Sequence, residues 1–267
     1  MKTIRLAMNG ATGKMGKRIL CLAAENPTYQ IVAAIERPGH PSLEQDIGPL
    51  IGLPPLNVPL SDKLDIEADL MIDFSIPAST LQRVEECQSG KVAMIIGTTG
   101  LTPEQEKIPT EAGNQIPILM EPNMSAGVHI LIQAAANLAK NLGDEYDIEI
   151  IEAHHRRKVD SPSGTALKIL DRIASARKIC AEDDVVHGRH GQVGPRECGQ
   201  IGMHAVRGGD IVGDHTILFS GPGEQIELTH RASNRDTFAS GALLIGKNLV
   251  QKSPGRYRIE EVISLDE

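Results

Sequence analysis

The sequence predicts an α/β protein: a Rossmann-type doubly wound parallel sheet plus a smaller α+β region. Three observations predict it. Short, continuous apolar runs recur through the first 120 residues, as in strands buried on both faces. Helical patterns separate those runs, which makes βαβ units. A glycine-rich loop, Asn9 to Gly16, joins the first run to the first helical pattern.

The elements follow in order. Ile4 to Met8 is a strand that stops at the glycine loop. Met15 to Ala24 is a helix, because Met15, Ile19, Leu22 and Ala23 share one face. Ile31 to Ile35, Leu70 to Phe74, Val92 to Ile96 and Ile116 to Met120 are the next buried strands. Ala78 to Gln88 is a helix with Pro77 in its first turn, and Thr102-Pro103-Glu104 starts another. After about Asn123 the pattern changes. Ser125 caps a helix that reaches Leu142 and ends at Gly143. Tyr146 to Ile151 reads as a strand, and Ser163 caps a helix from Gly164 to about Ala176. Thr216 to Phe219 and Ile226 to Thr229 flank Gly221-Pro222-Gly223 as an antiparallel hairpin. Thr237 to Val250 is a final helix able to return to the first region, so the expected domains are 1–124 plus 235–267, and 125–234.

Composition narrows the function. A chain of 267 residues buries enough surface to need neither disulfide nor metal. A net charge of −8, three Phe, three Tyr and no Trp argue against a nucleic-acid partner, which calls for excess cations and stacking platforms. No apolar run approaches the roughly 20 residues that span a bilayer. Arg5 and Asn9 interrupt the N-terminal apolar stretch, so no signal peptide is expected and the chain reads as a cytoplasmic protein that starts near Met1. Cys21, Cys87, Cys180 and Cys198 have no metal-like spacing and are expected as reduced thiols, and no metal site is expected.

Gly10, Gly13 and Gly16 have the spacing G-x-x-G-x-x-G, with Ala11, Thr12, Lys14 and Met15 between them. Glycines there permit a tight turn and close backbone approach to a pyrophosphate, and the helix start supplies N–H groups. Glu36 follows the second strand, twenty residues past Gly16, and can accept hydrogen bonds from a ribose. Arg37 beside it can pair with a 2′-phosphate, so NADH and NADPH are both expected to serve. Gly97-Thr98-Thr99 and Glu121-Pro122-Asn123-Met124 follow later strands, beyond whose C-terminal ends ligands bind in such sheets.

The stretch Glu152 to Ala166 carries the chemistry. His154-His155-Arg156-Arg157-Lys158 puts five potential cations together in an acidic protein. Ser163, Gly164 and Thr165 open a helix and aim N–H groups and hydroxyls at an anion. Lys158 can act as a general acid. Together these features point to reduction of a small anionic substrate by a nicotinamide cofactor. His187 and His190, with Arg189, either gather near that anion or stand in solvent, and His129 reads as a packed helix residue. Four glycines in Val186 to Gln200 make mobility over the substrate plausible.

At these residues the chain resembles the 4-hydroxy-tetrahydrodipicolinate reductase (dihydrodipicolinate reductase) family. The similarity runs through Asn9 to Gly16, Glu36-Arg37-Pro38-Gly39, Asp73-Phe74-Ser75, Ile96 to Gly100 and Pro122 to Ser125. It continues through Glu152 to Ala166, Ala205 to His215, Thr229 to Arg235 and Phe238 to Ala242. The resemblance implies a dinucleotide-binding domain completed by the C-terminal helix, and a substrate domain that assembles a homotetramer. It implies NAD(P)H-dependent reduction of a small dicarboxylate in the diaminopimelate route to lysine. His154 would be the proton donor or acceptor and Lys158 the proton donor, with His155, Gly164 and Thr165 on the substrate carboxylates. Gly10 to Met15, Glu36, Arg37, Gly97 to Thr99 and Glu121 to Met124 would hold the cofactor. Glu121 departs from the small residue common in the family. The rival readings are another two-domain amino-acid dehydrogenase, such as an aspartate dehydrogenase, and a catalytically silent cofactor sensor. The pairing of H-H-x-x-K with P-S-G-T argues against the first, and the presence of Lys158 against the second.

Overall fold

The computed structural model describes residues 3–180, 184–234 and 236–263. The chain forms two compact units, one of Met1–Ala126 and Arg235–Glu267, the other of Gly127–Asn234.

The first unit contains β1 (Ile4–Asn9), α1 (Lys14–Ala24), β2 (Tyr29–Ile35), α2 (Ile47–Ile51), β3 (Leu60–Ser61), β4 (Leu70–Asp73) and α3 (Pro77–Gly90). It continues with β5 (Ala93–Ile96), α4 (Pro103–Ala112) and β6 (Pro117–Met120). Its sheet is parallel throughout, in the order β3-β2-β1-β4-β5-β6 and then one strand from the chain's end. The order reverses between β1 and β4, and the crevice beyond the strand ends at that reversal is where such sheets take ligands. Successive strand residues face opposite sides of the sheet. Leu6, Met8, Leu70, Ile72 and Ile95 therefore join one buried cluster, and Ala7, Met71, Met94 and Ile96 join another. Burial on both faces is the reason these strands read as unbroken apolar runs. Thr102 caps α4 in a capping box with Gln105.

The second unit starts on α5 (Ala126–Leu142) and continues through β7 (Asp147–His154), α6 (Gly164–Arg177), β8 (Val185–His187), β9 (Ile201–Arg207), β10 (Asp214–Gly221) and β11 (Glu224–Arg231). Its sheet has the order β11-β10-β7-β9-β8. The β10 strand is antiparallel to β7 and β11, whereas β9 is parallel to β7 and β8. Val128, Leu131, Ile132, Ala135 and Ala139 of α5, at helical spacing, pack with Ile148, Ile150, Ile169, Ile173, Ile217 and Phe219.

The chain then returns as α7 (Asp236–Leu249), β12 (Gly255–Tyr257) and α8 (Ile259–Val262). Ala239, Ala242, Leu243, Ile245 and Leu249 of α7 share the buried cluster that holds Leu6 and Ile19. The Tyr29 hydroxyl donates to the Leu243 carbonyl, and Arg18 pairs with Asp236. The β12 strand extends the sheet beside β6.

Several element bounds differ from the sequence reading. The β7 strand runs past Ile151 to His154, because Glu152 and His154 extend the same alternation with polar side chains. Phe74 falls just outside β4, and Val92 and Ile116 just outside β5 and β6. Val186 and His187 belong to β8, so the glycine-rich loop spans only about 188–200. The short elements α2, β3, β8, β12 and α8, and the longer β9, carried no periodic signal. Arg235, one of the residues in the resemblance, lies outside the described residues.

Candidate active site

In the first unit, the turn after β1 is built for close approach. Gly10 has φ +75°, and a Cβ there would stand 2.3 Å from the Phe74 carbonyl oxygen. A Cβ on Gly16 would stand 2.1 Å from the Gly10 carbonyl oxygen, which sets the start of α1 directly against the turn. Gly13 caps α1 without a side-chain hydrogen bond, and the first turn holds no acidic residue. No side chain therefore caps the helix start, and the first turn of α1 itself carries no carboxylate to oppose an anion. Those features fit the pyrophosphate of a dinucleotide. Thr12 gives Glu36 Oε1 both its N–H, at 3.0 Å, and its hydroxyl, at 2.6 Å, which joins the turn to the end of β2. Ala11 is buried, Met15 is half-buried, and Lys14 and Arg37 are exposed.

A buried carboxylate organises the neighbouring strand ends. Asp73 Oδ1 accepts from Asn9 Nδ2 and from Ser75 Oγ, each at 2.6 Å. Its Oδ2 accepts from Thr80 Oγ1 at 2.5 Å and Thr98 Oγ1 at 2.9 Å. Burial pushes the Asp73 carboxyl up, against these four donors. Thr98 in turn accepts from the Ser75 N–H at 2.8 Å. Gly97 leaves room for the Phe74 ring, 2.3 Å from where its Cβ would be, while Thr99 is exposed. In the loop after β6, Glu121 is half-buried, Pro122 exposed and Met124 buried. Asn123 Oδ1 accepts from the Ser125 N–H at 2.9 Å, and Gly241 of α7 lets the Met124 carbonyl approach.

In the second unit, one face of the sheet changes character along its length. Ile148 and Ile150 of β7 and Ile217 and Phe219 of β10 are core. Farther along the same face, Glu152, His154 and His215 take their places, all buried. Glu152 is fully buried, meets His154 Nδ1 at 2.5 Å and accepts from the Ser163 N–H at 3.1 Å. Arg207 of β9 binds it with two nitrogens, at 2.8 and 2.7 Å. Burial disfavours the Glu152 charge, but Arg207 and His154 outweigh it and hold the carboxyl below its ordinary range. Ser163 caps α6 by accepting from the Ala166 N–H at 3.1 Å, and its hydroxyl also meets His215 Nε2 at 3.2 Å. The His154 and His215 rings stand edge to face, 5.3 Å between centroids. Burial and the neighbouring His154 depress His215 to about 4, so it is neutral near pH 7.

The structure thus brings His154 and Ser163 together through Glu152. Lys158 instead pairs with Asp160 at 2.8 Å, which holds the Asp160 carboxyl down. His155 is half-buried and its carbonyl accepts from the Lys158 N–H at 3.0 Å. Gly164 and Thr165 form the first turn of α6. His187 and His190 are exposed. Arg189 does not reach toward His154: it pairs with Glu149, as do Arg196 and His204. Gly202, opposite Glu149 in register, makes room for that cluster, since its Cβ would lie 1.8 Å from Glu149 Oε2. His129 is buried on α5.

Glu152, Arg207, His215 and Asp73 were not singled out from the sequence as site residues. A signal existed for Glu152: Ile148, Ile150, Glu152 and His154 alternate at period two and must share a face. The partners on β9 and β10 depend on non-local pairing. Among the described residues there is no cluster able to hold a metal ion, no helix long and apolar enough to cross a membrane, and the four cysteines are free.

Comparison with known proteins agrees with this geometry. Residues 4–124 match the family model described as dihydrodipicolinate reductase, N-terminus, and residues 127–263 match dihydrodipicolinate reductase, C-terminus. The 4-hydroxy-tetrahydrodipicolinate reductase of Nitrosomonas europaea is 45% identical over 267 residues, covering 99% of this chain and all of that protein. Its counterpart from Nitrosospira multiformis is 42% identical, covering 99% of each chain. A dipicolinate-bound dihydrodipicolinate reductase from Paenisporosarcina sp. TG-14 superposes with a TM-score of 0.78 at 27% identity, covering 98% of this chain and 100% of that one. An amine dehydrogenase from Mycobacterium smegmatis shares the fold, with a TM-score of 0.61 at 13% identity. Over both of its units, this chain belongs to the dihydrodipicolinate reductase family.

Proposed function

We infer that this chain reduces 4-hydroxy-tetrahydrodipicolinate to tetrahydrodipicolinate, with loss of the 4-hydroxyl as water and NADH or NADPH as reductant. The step belongs to the diaminopimelate route to lysine. The observation that carries the reading is the Glu152–His154 pair beside the α6 N-terminus, in a chain 45% identical to a reductase of that name. The dipicolinate held by the Paenisporosarcina relative supports a small dicarboxylate as the ligand class.

The uncapped start of α1 supports a pyrophosphate site at Gly10, Ala11, Thr12, Gly13, Lys14 and Met15. Glu36 and Arg37 take the adenosine end, where a carboxylate suits a ribose hydroxyl and a guanidinium suits a 2′-phosphate. Gly97, Thr98, Thr99 and the Glu121–Met124 loop form the nicotinamide end. The bound dihydronicotinamide supplies the hydride that reduces ring C4. His155, Ser163, Gly164 and Thr165 bind carboxylates through the helix start and its flanking cation. Lys158 donates a proton as the hydroxyl departs as water, and His154 exchanges or orients one.

The second unit also assembles a homotetramer in this reading. The sheet face opposite the core leaves Ile151 and Leu218 half-buried and Val206 47% exposed, alongside Glu149 and its partners Arg189, Arg196 and His204, so the surface offered to another copy is mixed apolar and charged. Four free cysteines accord with a cytoplasmic location. Light scattering on the purified chain tests the assembly.

The decisive experiment follows NAD(P)H oxidation by absorbance, with substrate made in place from pyruvate and aspartate semialdehyde by the preceding synthase. Oxidation that requires every component is expected. Tight cofactor binding without oxidation would move the reading to a different dehydrogenase or a sensor.

A further inference from the structure

We propose that Glu152 is the positioning residue of this site: it holds His154 as the tautomer protonated on Nδ1 and so confines proton exchange by His154 to Nε2. The inference rests on the reading of Gly127–Asn234 as the substrate unit, but its geometry stands alone.

Hydrogen-bond accounting carries it. Each oxygen of Glu152 meets two partners. Oε2 meets His154 Nδ1 at 2.5 Å and Arg207 Nη1 at 2.8 Å. Oε1 meets the Ser163 N–H at 3.1 Å and Arg207 Nη2 at 2.7 Å. A backbone N–H and a guanidinium can only donate. Arg207 also keeps the fully buried carboxyl ionised, so Glu152 has no proton to offer. The short contact with His154 is therefore a bond in which Nδ1 is the donor. A flipped ring would put carbon against the carboxylate and lose that bond.

The remaining ring nitrogen, Nε2, faces Gly213, where a Cβ would lie 3.1 Å away. The charged or titratable groups around His154 are Glu152 on its own strand, Arg207 on β9, His215 on β10, and Lys158 with Asp160 in the following loop. His215 is neutral near pH 7 and offers no competing cation. Neutral His154 thus presents a lone pair at Nε2, and protonated His154 donates from the same atom. The Nδ1 proton stays in place through either exchange. Arg207 reaches further, donating from Nη2 to the Asp160 carbonyl at 2.8 Å, and so ties the Lys158 segment to the same carboxylate.

The test uses protein labelled with 15N in histidine, without substrate or cofactor. Two-bond proton–nitrogen correlations distinguish the two neutral tautomers, and His154→Asn identifies the His154 signals by their disappearance. The wild-type protein is expected to show the Nδ1-protonated form. Glu152→Gln keeps one acceptor oxygen and gains an NH2; the Ser163 N–H can only donate and claims the oxygen, so the NH2 faces His154, which is expected to move toward the Nε2-protonated form. Glu152→Asp, which keeps the charge, is expected to retain the wild-type tautomer. In turnover, Glu152→Gln lowers kcat at least tenfold, in line with the loss of a residue that orients a reacting histidine, and leaves cofactor Kd unchanged. A wild-type His154 protonated on Nε2, or an unchanged tautomer in Glu152→Gln, overturns the proposal. Should Glu152→Gln not fold, the wild-type tautomer decides alone. A chain that shows the expected tautomer but fails to reduce the substrate refutes the proposed reaction and leaves this inference intact.

Discussion

Gly213 lies against the ring of His154: a Cβ added to it would stand 3.1 Å from Nε2 and 3.4 Å from Cδ2. The only atom of His154 free to meet a ligand is thus guarded by the absence of a side chain. Gly213→Ala is expected to leave the fold intact and to lower kcat about tenfold, within the ~10²-fold that a 1 Å misplacement is worth. Steady-state rates beside a thermal melt check it. An unchanged kcat removes Nε2 from the chemistry.

Lys158 is predicted to act by chemistry, not by binding. Lys158→Ala should lower kcat by about 10²–10⁴, the usual worth of a general acid, with cofactor binding preserved. Fluorescence titration of NADPH and initial rates on the same protein separate the two effects. Asp160, its partner at 2.8 Å, becomes unpaired in this variant but is largely exposed and adds little of its own.

Glu36 and Arg37 predict tolerance of both cofactors. Competitive titration should find a preference smaller than about a thousandfold, roughly 4 kcal/mol. Glu36→Ala frees the Thr12 hydroxyl and N–H and removes a ribose acceptor. It should weaken NADH more than NADPH, and equal weakening would contradict the assignment.

His215 makes the second unit acid-sensitive. Its folded value, about 4, lies below the ordinary 6.5, so the unfolded chain takes up the proton first as pH falls. Stability is lost between about pH 6.5 and about pH 4, on the order of 3 kcal/mol in all. Glu152, whose carboxyl is held low, loses its contribution only below the ordinary carboxylate range. His215→Gln can keep the bond to Ser163 and should flatten the melting temperature across the upper window. A decline as steep as the wild type's would assign the sensitivity elsewhere.

Gly202 should prove essential to the loop of residues 188–200. Alanine there would displace the Glu149 carboxylate, whose Oε2 stands 1.8 Å from the added carbon. Arg189 and Arg196 would lose their shared anchor. Hydrogen exchange across 188–200 should rise in Gly202→Ala, while exchange in α1 stays the same.

What was legible in the sequence depended on how local its cause was. Ser163 was readable as a cap because its partner is the Ala166 N–H, three residues on. The glycine turn was readable because Gly10, Gly13 and Gly16 act through backbone geometry alone. Glu152 stood in plain view but read as part of a charged stretch, since its meaning comes from Arg207, 55 residues away. Asp73 likewise gains its role from Asn9 at the end of β1 and Thr98 in the loop after β5. The short β3 and β12 strands exist because neighbours offer open edges, and two or three residues hold no period to detect.

The return of α7 to the first unit has a consequence for synthesis. Ala239, Ala242, Leu243, Ile245 and Leu249 fill the same cluster as Leu6 and Ile19. A nascent chain therefore cannot complete its N-terminal core until nearly all 267 residues have been made. The inserted unit draws its core from residues between Val128 and Leu228, so every part of it leaves the ribosome earlier. The usual N-to-C order of domain maturation is thereby inverted: the region translated first is the last to close.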